Sequence, residues 1–245
     1  MSWHCTSATV RRILAQIRHD RRTLALIFAL PTVLMGLLAW MLIESPGAFD
    51  IWGAAILGIF PLIVMFLVTS VATLRERTSG TLERLMAMTI GRGDIVGGYA
   101  IAFSLLGIAQ AVIVSAFAFT LFGLSIPGSV VLVAGVAVVD ALLGTALGLA
   151  ASALARTEFQ AVQMMPLILF PQLFLCGVLV PREQLPQVLE WISLAMPLTY
   201  AVQAAQAAVA STTITVDYAV NLGIVVACAL VALVVGGLTL RRSTR

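Results

Sequence analysis

Long apolar runs alternate with short charged segments along the whole chain. Six runs are long enough to cross about 30 Å of hydrocarbon as a helix, which takes roughly 20 apolar residues. We place these predicted spans at residues 23–43, 52–74, 95–122, 129–154, 164–180 and 218–240. The fifth is the shortest, and Pro166 and Pro171 are expected to interrupt it. The pattern predicts an all-α integral membrane bundle of six transmembrane helices.

The composition favours the same class of protein. Hydrophobic residues make up 61% of the 245 residues and charged residues only 10%, whereas a soluble domain carries about 25% charged residues. A bilayer is the natural solvent for such a surface. No polar stretch is long enough to form a second domain, so residues 1–245 are predicted to form a single membrane domain.

The arginines indicate how the spans are oriented, because cytoplasmic loops carry an excess of positive charge. In the six-span arrangement all basic residues except Arg182 fall on one side. They are Arg11, Arg12, Arg18, Arg21 and Arg22 before the first span, Arg75, Arg77, Arg84 and Arg92 between the second and third, Arg156 between the fourth and fifth, and Arg241, Arg242 and Arg245 after the sixth. We therefore predict that both termini are cytoplasmic.

Several kinds of chemistry are disfavoured by the residues that are missing. The sequence contains no lysine, so it cannot hold a P-loop, whose lysine contacts the nucleotide phosphates. Its cysteines, Cys5, Cys176 and Cys228, are too few and too widely spaced for a disulfide framework. Its histidines, His4 and His19, both precede the first span. We predict no metal site and no cofactor bound by this chain.

The N-terminal residues 1–22 form a basic amphipathic pattern. Apolar side chains recur at helical spacing at Val10, Ile13, Leu14 and Ile17. A basic amphipathic helix beside a membrane lies in the interface, with its arginines near anionic headgroups. Two interpretations stay open: a topology signal that happens to be helical, or an elbow helix that also contacts a cytoplasmic partner.

The most charged segment of the chain, residues 75–93, lies on the predicted cytoplasmic side. Leu82, Leu85 and Met86 occupy one helical face, while Glu83 and Arg84 project elsewhere. Gly80 is expected to end the second span and Asp94 to be the N-cap of the third. The pattern predicts a short helix lying across the membrane surface and held by two spans, although an ordinary charged connector fits the residues as well.

Three motifs, in this order and spacing, resemble a known family. They are Arg-Glu-Arg-Thr-Ser-Gly-Thr-Leu-Glu-Arg-Leu at 75–85, Cys-Gly-Val-Leu-Val-Pro at 176–181, and Leu-Pro at 185–186 followed by Met-Pro-Leu-Thr-Tyr-Ala-Val at 196–202. The chain resembles the ABC-2 type exporter permeases, which include drug, nodulation-factor and polysaccharide exporters. Met196 and Gln206 depart from that pattern, where asparagine and arginine are common.

The resemblance implies a transport subunit that is not itself an enzyme. The ATP and Mg²⁺ would be used by a separate ABC ATPase subunit, and a coupling helix at 81–88 would dock on that subunit. The implied ATPase-coupling residues are Glu76, Thr81, Leu82, Glu83, Arg84, Leu85 and Met86. The resemblance also implies a second permease, either identical or related, in the cell membrane of a bacterium. We expect membrane lipids as further partners, and no nucleic acid.

The resemblance further implies an extracellular re-entrant region over residues 181–217. Residues 185–196 are apolar yet too short to span a bilayer, and prolines punctuate the stretch. Trp191 suits a membrane interface. An amphipathic helix on the surface is the alternative. The residues assigned to this region are Gly177, Pro181, Pro186, Trp191, Pro197 and Tyr200.

Two polar residues lie near the middle of predicted spans. A charged Asp140 there would cost about 2.5–3.5 kcal/mol on insertion scales. Gly144 and Gly148 share its helical face, and such small residues let another helix approach closely. Gln110 is a candidate hydrogen-bond partner for Asp140. Either these residues line a substrate path or a proton-linked site, or they form an interhelical hydrogen bond.

The sequence therefore predicts the permease subunit of an ATP-driven exporter that moves an amphipathic small molecule, antibiotic or lipid-linked compound out of the cytoplasm. One alternative is a channel or secondary transporter that needs no ATPase. Another is an intramembrane enzyme, which the absence of histidine and of a carboxylate pair within the spans disfavours.

Overall fold

The computed structural model describes residues 3–79 and 91–239. Within these ranges the regular structure is helical throughout, apart from turns and loops, as the sequence predicted. The helices are α1 (Trp3–His19), α2 (Arg21–Met41), α3 (Pro46–Thr78), α4 (Arg92–Thr120), α5 (Val130–Leu154), α6 (Glu158–Leu175), α7 (Gln187–Leu194), α8 (Pro197–Ala210) and α9 (Val216–Thr239). A 3₁₀ turn, Arg182–Gln184, precedes α7.

Five of these helices, namely α2, α3, α4, α5 and α9, are long and apolar enough to cross a membrane. The number rises to six if α7 and α8, which meet at an angle of 87°, form one broken span; the pair also fits a re-entrant loop. Large apolar side chains are exposed on α2, α4 and α9, among them Val33, Leu37, Leu105, Val112, Leu230 and Val234. Such an apolar surface suits lipid, and the chain is a multi-pass membrane helical bundle.

The fifth predicted span, 164–180, is displaced in the structure and falls on a helix that is not among the five long and apolar enough to cross a membrane. Its helix, α6, begins earlier, where the Thr157 side chain accepts a hydrogen bond from the Gln160 N–H at 3.2 Å, and it ends at Leu175. Gly177 follows with φ +91°, a backbone conformation that cannot continue a helix. The prediction that Pro166 and Pro171 interrupt this helix was wrong, because α6 continues through both.

The predicted N-terminal helix is present as α1, and it packs against α4. A Cβ atom added to Gly98 of α4 would lie 2.6 Å from Cγ2 of Thr9, so the two helices are in direct contact. Ile13 and Ile17 of the predicted apolar face are buried. Asp20 then caps α2, accepting hydrogen bonds from the backbone of its first turn. The elbow between α1 and α2 is therefore a single residue.

The centre of the bundle is the pair formed by α3 and α5, which makes the most extensive interhelical contact among the described residues. Close approaches follow one another in the same order along both helices: Gly58 with Asp140, Leu62 with Gly144, and Phe66 with Gly148. The two helices are therefore parallel. A Cβ on Gly144 would lie 2.3 Å from the Leu62 carbonyl oxygen, so glycine permits this contact, as the Gly-x-x-x-Gly spacing predicted.

Candidate functional site

At one end of α3, a buried carboxylate joins three helices. Glu76 of α3 is only 7% exposed. Arg12 of α1 donates two hydrogen bonds to it, from Nη1 to Oε1 at 3.2 Å and from Nη2 to Oε2 at 2.8 Å. Tyr99 of α4 donates its hydroxyl hydrogen to the same carboxylate and accepts a hydrogen bond from Arg12 Nη2 at 3.0 Å. A bidentate arginine–carboxylate pair of this kind fixes geometry as well as charge.

Burial lowers the pKa of the Arg12 guanidinium, but the hydrogen bond and the negative charge of Glu76 outweigh that effect. The pKa of Arg12 therefore lies above its ordinary value. Arginine is charged at any physiological pH in either case. The positive charge that α1 contributes to this contact is therefore permanent.

At the start of α4, a second acidic side chain contacts α1. Asp94 lies in the first turn of α4, not at the N-cap position that the sequence predicted; the N-cap is Gly91. The Asp94 carboxylate accepts a hydrogen bond from the Gly91 backbone N–H at 3.2 Å and another from the Thr6 hydroxyl at 3.3 Å. A negative charge in this turn also suits the helix dipole.

These contacts lie on both sides of the predicted coupling helix, residues 81–88. We call the group Thr6, Arg12, Glu76, Asp94 and Tyr99 the α1 clamp. Six of the seven predicted coupling residues lie outside the described residues: Thr81, Leu82, Glu83, Arg84, Leu85 and Met86. Glu76 is described, and its carboxylate is engaged within the chain. Its role in ATPase coupling stays a prediction, and it would act through the clamp.

Two arginines tie the same end of α3 to other helices. Arg75 forms a salt bridge with Glu158 of α6, with Nε and Oε1 2.8 Å apart. Arg77 donates a hydrogen bond to the backbone carbonyl of Ser152 on α5. The last turn of α3 thus contacts α1, α4, α5 and α6 through charged side chains.

Toward the other end of α3 lies a cavity of about 230 Å³. Its walls come from residues 50–59 of α3, Asp140 of α5, Gly177 and Val178 after α6, and residues 201–209 of α8. The cavity therefore brings together Asp140 and Gly177, which the sequence assigned to different candidate regions. Glu76 and Gly58 are separated by about 27 Å along α3 at 1.5 Å per residue, so one continuous helix joins the clamp to the cavity.

Asp140 is 1% exposed, and its Oδ1 atom has no hydrogen-bond partner among the described residues. The predicted hydrogen bond with Gln110 is absent, because both amide atoms of Gln110 are also unpartnered there. The reason is geometric. Asp140 faces α3 at Gly58, whereas the next residue, Ala141, faces α4, where a Cβ on Gly107 would lie 3.0 Å from it. Gln110 does not line the cavity.

The residues assigned to the re-entrant region lie between the end of α6 and the first turn of α8. Pro181 and Pro186 directly precede the 3₁₀ turn and α7, and Pro197 begins α8. Trp191 is 63% exposed on α7. The Tyr200 hydroxyl donates a hydrogen bond to the Leu194 carbonyl at 2.7 Å and so closes the bend between α7 and α8. The location of this region relative to the membrane stays a prediction.

Several residues of both sites were not predicted. Arg12 and Tyr99 carried little signal, because a basic residue beside a membrane and a tyrosine in an apolar run are both common. Asp50 and Trp52 line the cavity near the start of α3. An acidic residue followed closely by tryptophan at the start of a span was the available clue to them.

Known proteins share this sequence pattern. A family profile of the ABC-2 type transporter matches residues 4–210. The chain is 33% identical over 134 residues to "ABC transporter G family member 20" of Dictyostelium discoideum, covering 55% of this chain and 18% of that protein. It is 30% identical over 171 residues to "Inner membrane transport permease YhhJ" of Escherichia coli (strain K12), covering 66% and 44% of the two chains.

A further relative is "Probable multidrug ABC transporter permease YbhR" of Escherichia coli (strain K12), 30% identical over 134 residues, or 54% of this chain and 36% of that protein. The matched regions span less than half the length of each of these relatives. The family profile covers most of the present chain, including α1, the clamp, the cavity and α8. This chain therefore belongs to the ABC-2 type transporter family.

Proposed function

We propose that the chain is the membrane permease subunit of an ATP-driven ABC exporter, and that a separate ATPase subunit hydrolyses ATP with Mg²⁺. The observation that carries this proposal is the α1 clamp. Glu76 lies before the predicted coupling helix, 81–88, and Asp94 lies after it, and both carboxylates bind α1. A force applied to that segment would therefore move α1, α3 and α4 together.

Helix α3 offers a route from the clamp to the cavity. It is helical from Pro46 to Thr78, which corresponds to about 50 Å. Its close packing against α5 at Gly144 and Gly148 would carry a displacement of α3 into α5 and hence to Asp140. Tightly packed interfaces transmit such shifts because they have few voids to absorb them.

The size of the cavity supports the proposal that a second permease, identical or related, faces this one. Its volume of about 230 Å³ is below the roughly 300–1,000 Å³ of a complete small-molecule site. Two facing chains would supply the rest of the path. Its largely apolar walls favour an amphipathic cargo, and the name of one relative, a probable multidrug permease, agrees with that class.

The arginine distribution and the bacterial inner-membrane relative support a location in a bacterial cell membrane with both termini cytoplasmic. In that orientation, residues 75–93 face the ATPase and the bend between α7 and α8 faces outward. Export out of the cytoplasm is the direction that accords with the family resemblance of the coupling motif.

Gentle purification from the native membrane tests the proposal. We expect a P-loop ATPase to co-purify with the wild-type chain and to be lost from the Glu83→Ala/Leu85→Ala double variant. Arg156→Ala is the matched control, because Arg156 is an exposed residue on the same predicted side, between α5 and α6, and this variant should retain the ATPase. A wild-type chain that purifies without an ATPase, or a double variant that keeps it, would overturn the proposal.

A further inference from the structure

The charges of the cavity are all of one sign. Asp50 and Asp140 are the charged residues among those that line it, and no arginine contributes to its walls. Gln206 adds one polar group, and most of the remaining lining is apolar. An apolar cavity that carries two carboxyl groups and no basic residue favours a ligand that is itself apolar and positively charged.

Asp140 is a buried residue of the cavity wall and not a solvated surface residue. It is almost completely buried, and Oδ1 has no hydrogen-bond donor among the described residues. A buried polar group without a partner is costly. If this carboxyl group is charged in an apolar bundle it needs a donor or a cation, and the described residues supply neither to Oδ1.

The surroundings of Asp140 leave space for such a ligand. Gly58 lies directly opposite the carboxyl group: a Cβ atom there would lie 3.3 Å from Asp140 Oδ2 and would crowd this part of the cavity. Trp52 lies six residues before Gly58 on α3, also lines the cavity, and is 39% exposed. The face of an indole ring attracts organic cations, and quaternary ammonium groups in particular.

Asp50, the second acidic residue, is already partly engaged. Its Oδ1 atom accepts a hydrogen bond from the Ser125 backbone N–H at 2.8 Å, which fixes the carboxylate at the start of α3. Asp50 would attract a cation toward the cavity, and Asp140 would bind it inside. The volume of about 230 Å³ exceeds the roughly 150 Å³ of a dry cavity that holds benzene, so one ring and an ammonium group fit.

We infer that this cavity binds an amphipathic organic cation, with Asp140 as the counter-ion and Trp52 and the apolar wall as the contact for its hydrophobic body. This inference names the substrate class of the proposed permease and so rests on that function. A cation in an apolar site interacts with a carboxylate much more strongly than in water, so charge should dominate selectivity.

Binding to the full chain in nanodiscs of zwitterionic lipid tests this inference without any ATPase. The probes are benzyltrimethylammonium and its uncharged isostere neopentylbenzene, measured by calorimetry against empty nanodiscs. We expect the wild-type chain to bind the cation about tenfold or more tightly than the isostere. Equal affinity for the two, or no binding of the cation, would overturn the inference and leave the ATPase co-purification result untouched.

Two variants locate the site. Asp140→Asn should lose the preference for the cation while its affinity for neopentylbenzene is unchanged. Asp217→Asn is the matched control, because Asp217 is an exposed acid on α9 outside the cavity, and it should bind as the wild type does. If Asp140→Asn fails to fold, Ala55→Phe, which fills the cavity wall, should abolish binding of both probes. An Asp140→Asn or Ala55→Phe chain that binds the cation as the wild type does would contradict the assignment.

Discussion

Arg12 and Glu76, 64 positions apart in the chain, form a bidentate ion pair that joins the N-terminal helix to the end of α3. The Glu76 side chain is 9% exposed and that of Arg12 is 32% exposed. The pair is therefore shielded on the carboxylate side, and the Tyr99 hydroxyl completes it. The sequence left open whether α1 is only a topology signal. In the structure α1 is bonded to α3, the helix that precedes the predicted coupling helix.

Replacing Arg12 with alanine should lower the free energy of unfolding by about 1.5–3 kcal/mol, the usual range for a hydrogen bond to a charged group. The loss arises because Glu76 stays buried with Tyr99 as its remaining donor. Chemical unfolding of the purified chain in detergent measures it. Arg75→Ala is the control. The side chains of Arg75 and its partner Glu158 are 58% and 48% exposed, so their salt bridge should contribute at most about 1 kcal/mol. Equal effects of the two variants would contradict this ranking.

The sequence predicted the helices better than their contacts. Hydrophobic runs located α2, α4, α5 and α9 to within three residues, because bilayer thickness fixes the length of an apolar run. Helix α3 begins six residues before its predicted span and ends four residues after it. For α6 this argument was weaker, since Glu158 and Gln160 in its first turn are polar and yet helical. A length criterion alone could not include residues that lie outside the apolar run.

The contacts between helices were less predictable. The glycine spacing after Asp140 correctly indicated a close helix neighbour, but it did not say that the neighbour is α3. Gln110 was chosen as a partner because of its similar depth, whereas the rotation of each helix about its axis decides which side chains meet. Depth can be read from one sequence, but rotation depends on packing against all neighbours at once.

Asp20 gives the elbow between α1 and α2 a pH-dependent cap. The hydrogen bond from the Thr23 hydroxyl, and then those from the backbone, lower the pKa of Asp20 below its ordinary value. A lowered folded-state pKa means that the charged form stabilises the folded chain above the ordinary aspartate pKa. This contribution is lost as the pH falls through the lower folded-state value.

Asp20→Ala should therefore lower the free energy of unfolding by about 1 kcal/mol at neutral pH, as expected for loss of an N-cap. Asp20→Asn is the matched variant, because asparagine caps a helix about as well but carries no charge. Any stability that the wild type holds over Asp20→Asn at pH 7 should be smaller at pH 3, below the ordinary aspartate pKa, and should fall further as the pH passes through the lower folded-state value. Unfolding of the three chains at both values measures this, and an unchanged difference between wild type and Asp20→Asn would show that the charge of Asp20 contributes nothing.

Gly144→Ala should separate α3 from α5. The added Cβ would lie 2.3 Å from the Leu62 carbonyl oxygen and 2.9 Å from its Cα, and backbone atoms cannot move aside as a flexible side chain can. Overpacking of this kind costs about 1–3 kcal/mol.

Gly223→Ala on α9 is the control, because nothing lies within 4 Å of its added Cβ. The control should be neutral or stabilising, by up to about 1 kcal/mol, through the better helix propensity of alanine. Thermal unfolding in detergent compares them, and a Gly144→Ala chain as stable as the control would refute tight contact between α3 and α5.

Gln110→Met should raise the free energy of unfolding by about 1–3 kcal/mol, because both amide atoms of Gln110 are buried without a partner among the described residues and an apolar side chain of similar shape removes that penalty. Gln172→Met is the matched control and should destabilise the chain. Gln172 is also buried, but its amide donates to the Ile168 carbonyl at 3.0 Å and accepts from the Leu198 N–H at 3.4 Å. Since Gln110 does not line the cavity, its substitution should also leave binding of benzyltrimethylammonium unchanged. A Gln110→Met chain that is less stable than the wild type, or that loses cation binding, would instead give Gln110 a partner beyond this chain or a direct part in the substrate path.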